Sequence, residues 1–258
     1  MDLLQSLILS AVEGISEFLP ISSTGHLILA SKLLAIENTD FVKSFQIVIQ
    51  LGAILSVVVL YGRLLLVDLK ILQRVAVAFL PTAVIGLGFY KIIKNFLLGN
   101  SAVVVWSLFL GGLFLIAFEL WYREKSDAQE DLRNISFKTA FCIGLFQSIA
   151  MVPGVSRSAA TIIGGLFLGL KRRAIVEFSF LLAVPTMAAA AGLDLLKCAH
   201  HFNPQEISCL GVGFLGSFIV ALLSIKFLLE FIKTNNFIAF GIYRVVIAGC
   251  FFWLGIKK

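Results

Sequence analysis

The sequence predicts an all-α polytopic membrane protein, built as an inverted repeat of six transmembrane helices and two re-entrant helical hairpins. Three observations predict this class. The 258 residues are 59% hydrophobic and only 14% charged, a composition typical of integral membrane proteins. Six apolar stretches are long enough to span, given about 20 residues per crossing. Two further apolar stretches, 3–35 and 138–170, are each interrupted by a proline and a group of hydroxyl residues.

The six predicted spans lie at roughly 41–60, 75–94, 102–121, 175–196, 207–232 and 237–256. If both broken stretches are hairpins, the halves 1–121 and 138–256 each cross the membrane three times, and the second half is inverted relative to the first. A cytoplasmic connector, 122–137, would join the halves, and residues 1–258 would form one integral membrane domain.

The distribution of lysine and arginine predicts the orientation. Eleven of them fall in the loops 61–74, 122–138, 171–174 and 233–236, and six fall on the opposite side. The richer side should be cytoplasmic, so both termini and the mouth of the first hairpin should face outward. The net charge of +6 is therefore interpreted as membrane topology, and no nucleic-acid partner is expected.

The first break, Glu13 to His26, places two carboxylates, three hydroxyls and a histidine within fourteen residues. Ionisable side chains inside an apolar membrane segment are costly, and they mark functional sites by default. Glu13 and Glu17 are four residues apart, so they share one face of a helix and repel each other unless a cation or a proton lies between them. Pro20 should end that helix at Leu19, and one of the hydroxyl residues 22–24 should cap the next helix.

The second break has the sequence Pro153-Gly-Val-Ser-Arg-Ser-Ala-Ala-Thr161. Pro153 and Gly154 should stop one helix, and Ser156 or Ser158 should cap the next. A helix N-terminus beside Arg157 is suited to an anion. The two breaks match at an offset of 133, which aligns Pro20 with Pro153, Ser23 with Ser156 and Thr24 with Arg157.

Together the breaks favour a phosphate ester or diphosphate as ligand. Its oxygens would take Arg157, the hydroxyls and the backbone N–H groups, whereas Glu13 and Glu17 would hold a bridging divalent cation. Ser23 and His26 are spaced like a hydroxyl nucleophile and its base. The bilayer implies a substrate with a lipid tail, and transport of such a lipid is the alternative to chemistry.

At these residues the sequence resembles the bacterial undecaprenyl-diphosphate phosphatases of the bacitracin-resistance type. The resemblance rests on Glu13-Gly-Ile-Ser-Glu-Phe-Leu-Pro-Ile-Ser-Ser-Thr-Gly-His26 and on the second break, and it extends to Gln50 and to Pro185-Thr186. It implies hydrolysis of undecaprenyl diphosphate to undecaprenyl phosphate and phosphate, which recycles the carrier lipid of cell-wall synthesis and confers bacitracin resistance. It also implies Mg²⁺ or Ca²⁺ dependence and an inner-membrane homodimer whose site opens to the outer face.

The resemblance also implies roles for individual residues. Glu13 and Glu17 match the metal or acid–base pair, and Ser23 and His26 match the nucleophile candidates, of which Ser23 is favoured with His26 or Glu17 as its base. The phosphate-binding group comprises Ser156, Arg157 and Thr161, supported by Ser22, Thr24 and Ser158. A carrier-lipid flippase on the same scaffold is the alternative function.

The loop near residue 200 offers two weaker features. A disulfide between Cys198 and Cys209 is an open alternative, and His200 with His201 is interpreted as an exposed pair rather than a metal site.

Overall fold

The computed structural model describes residues 1–92, 101–195 and 202–253 of the chain. Ten α-helices and one 3₁₀ turn make up the described secondary structure apart from an isolated bridge between Gln129 and Leu170. In chain order the helices are α1 (Leu3–Ser16), α2 (Ser23–Leu33), α3 (Asp40–Val67), α4 (Leu69–Ile92), α5 (Ser101–Trp121), α6 (Phe137–Ile149), α7 (Arg157–Phe167), α8 (Arg172–Leu195), α9 (Pro204–Phe231) and α10 (Ile238–Trp253). The all-α membrane fold class is therefore confirmed.

Five of these helices, α3, α4, α5, α8 and α9, are long and apolar enough to cross a membrane. They correspond to five of the six predicted spans. The sixth predicted span falls on α10, which has 16 described residues, fewer than the roughly 20 that a crossing needs. The sixth crossing therefore stays a prediction.

The two broken stretches form two helix pairs of closely similar size, α1–α2 and α6–α7. Ser22 caps α2 with φ 75°, and Ser156 caps α7 with φ 78°. Positive φ is unfavourable for a residue with a Cβ, so the same costly cap at both breaks indicates that the two turns are built alike. The cap residues among the predicted candidates are thus Ser22 and Ser156.

The caps correct two details of the predicted alignment. Ser22 pairs with Ser156 at an offset of 134, so the structural counterpart of Arg157 is Ser23 and not Thr24. The extra residue is Gly154, which has φ 94° and approaches the carbonyl oxygen of Val104 so closely that a Cβ would lie 2.6 Å from it. In addition, α1 ends at Ser16 rather than Leu19, because the turn that precedes Pro20 begins earlier than the proline rule alone requires.

The first helix of each pair packs against a long helix of the other half. Helix α1 packs along α9 and α6 packs along α4, while α3 contacts α8 and α5 contacts α10. Small residues permit the close approach: a Cβ on Gly14 of α1 would lie 2.7 Å from the Val220 Cβ on α9. This exchange of partners is what an inverted repeat would produce, although the orientation of the halves in a bilayer stays a prediction.

Several of the segments predicted to be cytoplasmic meet at one end of the bundle. Arg133 of the connector donates to Asp68 at 2.6 Å, Lys171 donates to Glu130 at 2.6 Å, and Arg172 pairs with Glu119. The hydrogen bond from Arg133 lowers the pKa of the Asp68 carboxyl. These contacts place the loops around 68, 119–133 and 171–172 on the same side.

Two loop predictions were wrong in detail. The predicted loop 61–74 is almost entirely helical, because α3 continues to Val67 and α4 begins at Leu69, with Asp68 accepting from the N–H groups of Lys70 and Ile71. The connector is not simply solvated. It contains a 3₁₀ turn, and Leu132 and Ile135 are buried at 7% and 2% exposure, which anchors it to the core.

Candidate active site

A cavity of about 230 Å³ lies between the two breaks. Helices α3, α4, α6 and α8 contribute further lining residues, among them Gln50, Thr82, Gln147 and Thr186. Six of the predicted site residues line it: Glu17, Ser22, Ser23, Thr24, Ser156 and Arg157. The other four, Glu13, His26, Ser158 and Thr161, lie around it without lining it.

The central contact of the cavity is an ion pair between the two breaks. Arg157 Nη2 donates to Glu17 Oε1 at 2.7 Å, and the two side chains are 13% and 5% exposed. Glu17 Oε2 accepts from the Ser23 hydroxyl. Arg157 Nη1 donates to the carbonyl oxygen of Ser179 at 2.9 Å. Glu17 therefore holds the predicted nucleophile with one oxygen and the predicted phosphate ligand with the other.

His26 is placed differently from the expectation. Its Nδ1 lies 2.8 Å from the Ser22 carbonyl oxygen, and its Nε2 lies 2.9 Å from the Tyr243 hydroxyl. Its ring stacks on Tyr243 with 5.5 Å between the centroids. A carbonyl only accepts, so Nδ1 carries a hydrogen, and in the neutral ring Nε2 would accept from the Tyr243 hydroxyl. The structure thus pairs Ser23 with Glu17, not with His26.

Thr161 and Ser158 stabilise the second break from behind. Thr161 Oγ1 donates within α7 and lies 2.6 Å from Ser179 Oγ, and Ser158 donates to the Leu19 carbonyl oxygen at 2.7 Å. Both are buried, at 0% and 1% exposure. They join the two breaks and position Arg157, and in this arrangement they are not open to a ligand.

Glu13 is the predicted site residue with the most unusual environment. It lies one helical turn before Glu17, whose N–H donates to its carbonyl oxygen at 2.9 Å. The Glu13 side chain is 0% exposed, and neither carboxylate oxygen has a hydrogen-bond partner. A buried carboxylate without partners is costly unless a cation or a proton accompanies it.

Most of the unpaired buried atoms of the described chain lie around this cavity. In the described chain, five buried side-chain atoms have no hydrogen-bond partner. Four of them belong to Glu13, Gln147 and Arg157, and the fifth is the Ser31 hydroxyl oxygen. Unsatisfied buried groups are rare in folded proteins. Their concentration around one cavity indicates a site whose remaining bonds are completed by a ligand.

A hard divalent cation suits the carboxylates of this site. Glu13 offers two unpaired oxygens, and Glu17 lies one turn away. No group of three or more histidine, cysteine, aspartate or glutamate side chains that could hold a metal occurs among the described residues. Any such cation would therefore complete its oxygen shell with phosphate oxygens and water, as Mg²⁺ commonly does.

Arg244 on α10 is a site-supporting residue that sequence reasoning missed. Its side chain is 1% exposed. Its guanidinium donates to the carbonyl oxygens of Gly154 at 2.9 Å, Val155 at 3.1 Å and Ser107 at 3.1 Å. No carboxylate pairs with it in the described part of the chain. Arg244 thus fixes the turn that precedes α7 and ties it to α5. Arg244 lies outside both motifs, so the only signal in the sequence was an arginine within an apolar segment.

Two threonines that follow helix-internal prolines were also missed. Pro81 lies inside α4 and Pro185 inside α8. The next residues, Thr82 and Thr186, line the cavity and hold the side chain of Gln147 at 2.8 and 3.0 Å. A proline followed by a hydroxyl residue in the middle of a span was the available signal.

A larger cavity, of about 680 Å³, lies at the turn between α3 and α4. Arg63, Asp68, Lys70 and Arg133 contribute its polar lining. It contains neither a hydroxyl group nor an unpaired buried atom, so its size does not mark it as the reactive site.

Fold and site together define an integral membrane protein with a buried, charged cavity between two interrupted helices. Comparison with known proteins gives the family. The model of the bacitracin resistance protein BacA family matches residues 6–250. An undecaprenyl-diphosphatase of Aquifex aeolicus is 55% identical over 243 residues, covering 94% of each chain. One from Persephonella marina is 49% identical, covering 97% of this chain and 98% of the relative. One from a Sulfurihydrogenibium species is 51% identical over 247 residues.

The chain belongs to the bacitracin resistance protein BacA family. The resemblance drawn from the two motifs is confirmed.

Proposed function

We propose that this protein is a membrane-embedded phosphatase that hydrolyses undecaprenyl diphosphate to undecaprenyl phosphate and inorganic phosphate. It thereby recycles the carrier lipid of cell-wall synthesis and confers resistance to bacitracin. The observation that carries the proposal is that Glu17 binds both the Ser23 hydroxyl and the Arg157 guanidinium, beside a cavity where most of the unpaired buried atoms lie. The relatives that bear the name of this activity match nearly the whole chain.

The proposed nucleophile is Ser23. Its hydroxyl donates to Glu17, a carboxylate that is placed to take the proton as the oxygen attacks. The new Ser23 Oγ–P bond forms at the terminal phosphorus, and the bond from that phosphorus to the bridging oxygen breaks. Undecaprenyl phosphate leaves with the bond's electron pair. Glu17 releases that proton to the departing phosphate or to solvent. Water then attacks the phosphorus of the phosphoserine while Glu17 accepts its proton, the Ser23 Oγ–P bond breaks, and Glu17 returns the proton to Oγ, which releases phosphate and restores Ser23.

Arg157 supplies the charge that the transferred phosphoryl group requires. Its Nε is buried without a partner, so at least one N–H remains for a phosphate oxygen after Glu17 and Ser179 are bound. The N-termini of α2 and α7 add backbone N–H groups on the same side. Fixed donors of this kind stabilise developing charge without reorganisation.

His26 acts on the start of α2 rather than on the reacting atoms. It bonds to the carbonyl of Ser22, the residue that caps the helix carrying Ser23, and Tyr243 holds the other edge of its ring. We therefore assign the base role to Glu17 and a positioning role to His26. Ser158 and Thr161 position Arg157 through Leu19 and Ser179.

A divalent cation, Mg²⁺ or Ca²⁺, would be held by Glu13 with Glu17 nearby. When bound, it would neutralise the two carboxylates and polarise a phosphate oxygen. The unpaired oxygens of Glu13 support this assignment.

The protein is multi-pass, and its substrate places it in a bilayer. We propose that it resides in the inner membrane as a homodimer, with the cavity opening to the outer face. The eleven-to-six distribution of lysine and arginine supports the orientation, and the loops that carry many of these charges meet at one end of the bundle. The homodimer rests on the family resemblance.

The test is phosphate release from undecaprenyl diphosphate by the purified protein in detergent, beside a Ser23→Ala variant. Turnover by the wild type and its loss in the variant are expected. A protein that moves the lipid between leaflets of a vesicle yet releases no phosphate would be a flippase, and the proposal would fail.

A further inference from the structure

The Gln147 amide has a fixed orientation. Gln147 lies on α6, lines the cavity and is 1% exposed. Its Nε2 donates to Thr82 Oγ1 at 2.8 Å and to Thr186 Oγ1 at 3.0 Å. Each threonine hydroxyl already donates its single hydrogen to a carbonyl oxygen, Thr82 to Gly144 and Thr186 to Leu182. Both threonine oxygens can therefore only accept from Gln147, which must present its NH₂ group to them.

This orientation leaves one polar atom of Gln147 free. Both amide hydrogens are used, and Oε1 is buried without a partner. An unsatisfied buried acceptor typically costs about 1–3 kcal/mol. Since Oε1 can accept but not donate, a phosphate group in the cavity completes it only by bringing a hydrogen.

The charged groups around Gln147 determine which ligand can bring that hydrogen. Across the cavity lie Glu17 from the first break and Arg157 from α7, with Glu13 one turn before Glu17. Helices α4 and α8 contribute Thr82 and Thr186 to the cavity. Neither helix contributes an ionisable residue to the described lining. A fully ionised phosphate offers oxygens alone, which suit Arg157 but not Oε1. A monoprotonated phosphate offers both acceptors and one donor.

We propose that Gln147 Oε1 accepts the hydrogen of a monoprotonated phosphate, so that the cavity selects the form of the terminal phosphate that carries one P–OH group. This inference rests on the proposed function and adds a specificity-determining residue to it. This contact discriminates between forms of the terminal phosphate of the substrate, which loses its only P–OH group at about pH 6, whereas inorganic phosphate keeps at least one P–OH group at neutral pH. Gln147 neither attacks nor transfers a proton; it recognises the protonation state of the group that Ser23 attacks.

The experiment compares the wild type with Gln147→Met, which keeps the length of the side chain and removes the acceptor. The KM for undecaprenyl diphosphate and the inhibition constant of inorganic phosphate are measured between pH 5.5 and 8. The terminal phosphate of the ester loses its last proton at about pH 6, so the wild-type affinity for the diphosphate should fall as pH rises through that region. Inorganic phosphate keeps a P–OH group throughout the range and is the reference ligand, whose binding should not fall for lack of a donor.

In Gln147→Met the affinity at the acidic end should fall about 10-fold, the effect of one hydrogen bond to a charged group. The slope against pH should flatten, with kcat at saturation changed much less than KM. Ser148→Ala is the matched control, because Ser148 is the next residue on α6, its hydroxyl is bonded to Gly144 within the helix, and it does not line the cavity. It should keep the wild-type slope.

If Gln147→Met lost affinity for the diphosphate equally at every pH, Gln147 would act only as a spacer and the inference would be overturned. Wild-type affinity of Gln147→Met for the diphosphate would overturn it too. If that variant does not fold, Gln147→Glu replaces it. Its added negative charge should weaken phosphate binding further and steepen the loss with rising pH, and an unchanged affinity would overturn the inference. Direct binding of phosphate, followed by thermal stabilisation of the protein, tests Gln147 even if the wild type hydrolyses no diphosphate, so the two failures are distinguishable.

Discussion

Replacing Arg157 with lysine keeps a positive charge beside Glu17 but removes the planar fork that connects Glu17 to the Ser179 carbonyl. In the wild type, Nη2 lies 2.7 Å from Glu17, Nη1 lies 2.9 Å from the Ser179 carbonyl oxygen, and Nε is unpaired. A lysine ammonium is a point charge that cannot reproduce this geometry. It would satisfy Glu17 and leave the phosphate without its donor. The loss of one preorganised donor costs on the order of 10² to 10³ in kcat.

Arg157→Ala should do further damage, to stability as well as to rate. Glu17 is 5% exposed, so removing its partner leaves a buried charge, which typically costs about 3–5 kcal/mol. The double variant Arg157→Ala/Glu17→Gln removes that charge and should recover most of the lost thermal stability without recovering turnover. Because Glu17 is also the proposed base, the double variant tests only the origin of the stability loss, and Arg157→Lys tests the phosphate role.

The assay is phosphate release in detergent at saturating substrate, with the unfolding temperature measured on the same preparations. Arg157→Lys should keep a near-wild-type unfolding temperature and lose activity. If Arg157→Lys turns over like the wild type, Arg157 serves only to hold Glu17. Phosphate binding would then have to come from the hydroxyls and the helix N-termini alone.

Three further predictions concern the metal, the supporting residues and the orientation. Exhaustive chelation should abolish turnover, and Mg²⁺ or Ca²⁺ should restore it, because Glu13 has two unpaired buried oxygens; full activity in the chelated protein would exclude the metal role. Tyr243→Phe keeps the ring stacked on His26 but removes a hydrogen bond worth about 1 kcal/mol, so kcat should fall roughly 5-fold. An unchanged kcat would show that His26 does not position the reacting groups. A C-terminal reporter that functions only outside the cytoplasm should be active; activity of a reporter that requires the cytoplasm would reverse the orientation.

Much of the fold was predictable because composition and apolar run length determine it. Five spans were placed correctly, since a bilayer imposes one helix length on any sequence. The loop 61–74 was misjudged because its charged residues, among them Arg63 and Lys70, are compatible with a helix that extends beyond the apolar core. The sixth span, 237–256, stays a prediction, because the described part of α10 ends at Trp253.

The membership of the site was largely predictable, and its pairing was not. Sequence spacing suggested that Ser23 and His26 act together because they are three apart. A positive φ at Ser22 redirects the chain, so Ser23 points to Glu17 across the turn while His26 reaches Tyr243 on α10. Contacts over more than 200 residues, such as His26 to Tyr243, leave no trace in local spacing. The register of the repeat failed for a similar reason, because one inserted glycine, Gly154, shifts the caps by one position.

The exchange of helices between the halves has a consequence for the synthesis of the protein. Helix α1 carries Glu13 and is among the first segments to leave the ribosome, yet its packing partner α9 follows about 200 residues later; the Ser6 hydroxyl, for example, donates to the carbonyl of Cys209. At about 5–20 residues per second, the wait is roughly 10–40 s. During that interval the buried carboxylates lack the wall that isolates them from lipid. A nascent chain stopped before α9 therefore carries every residue that lines the cavity, while α1 still lacks its main packing partner.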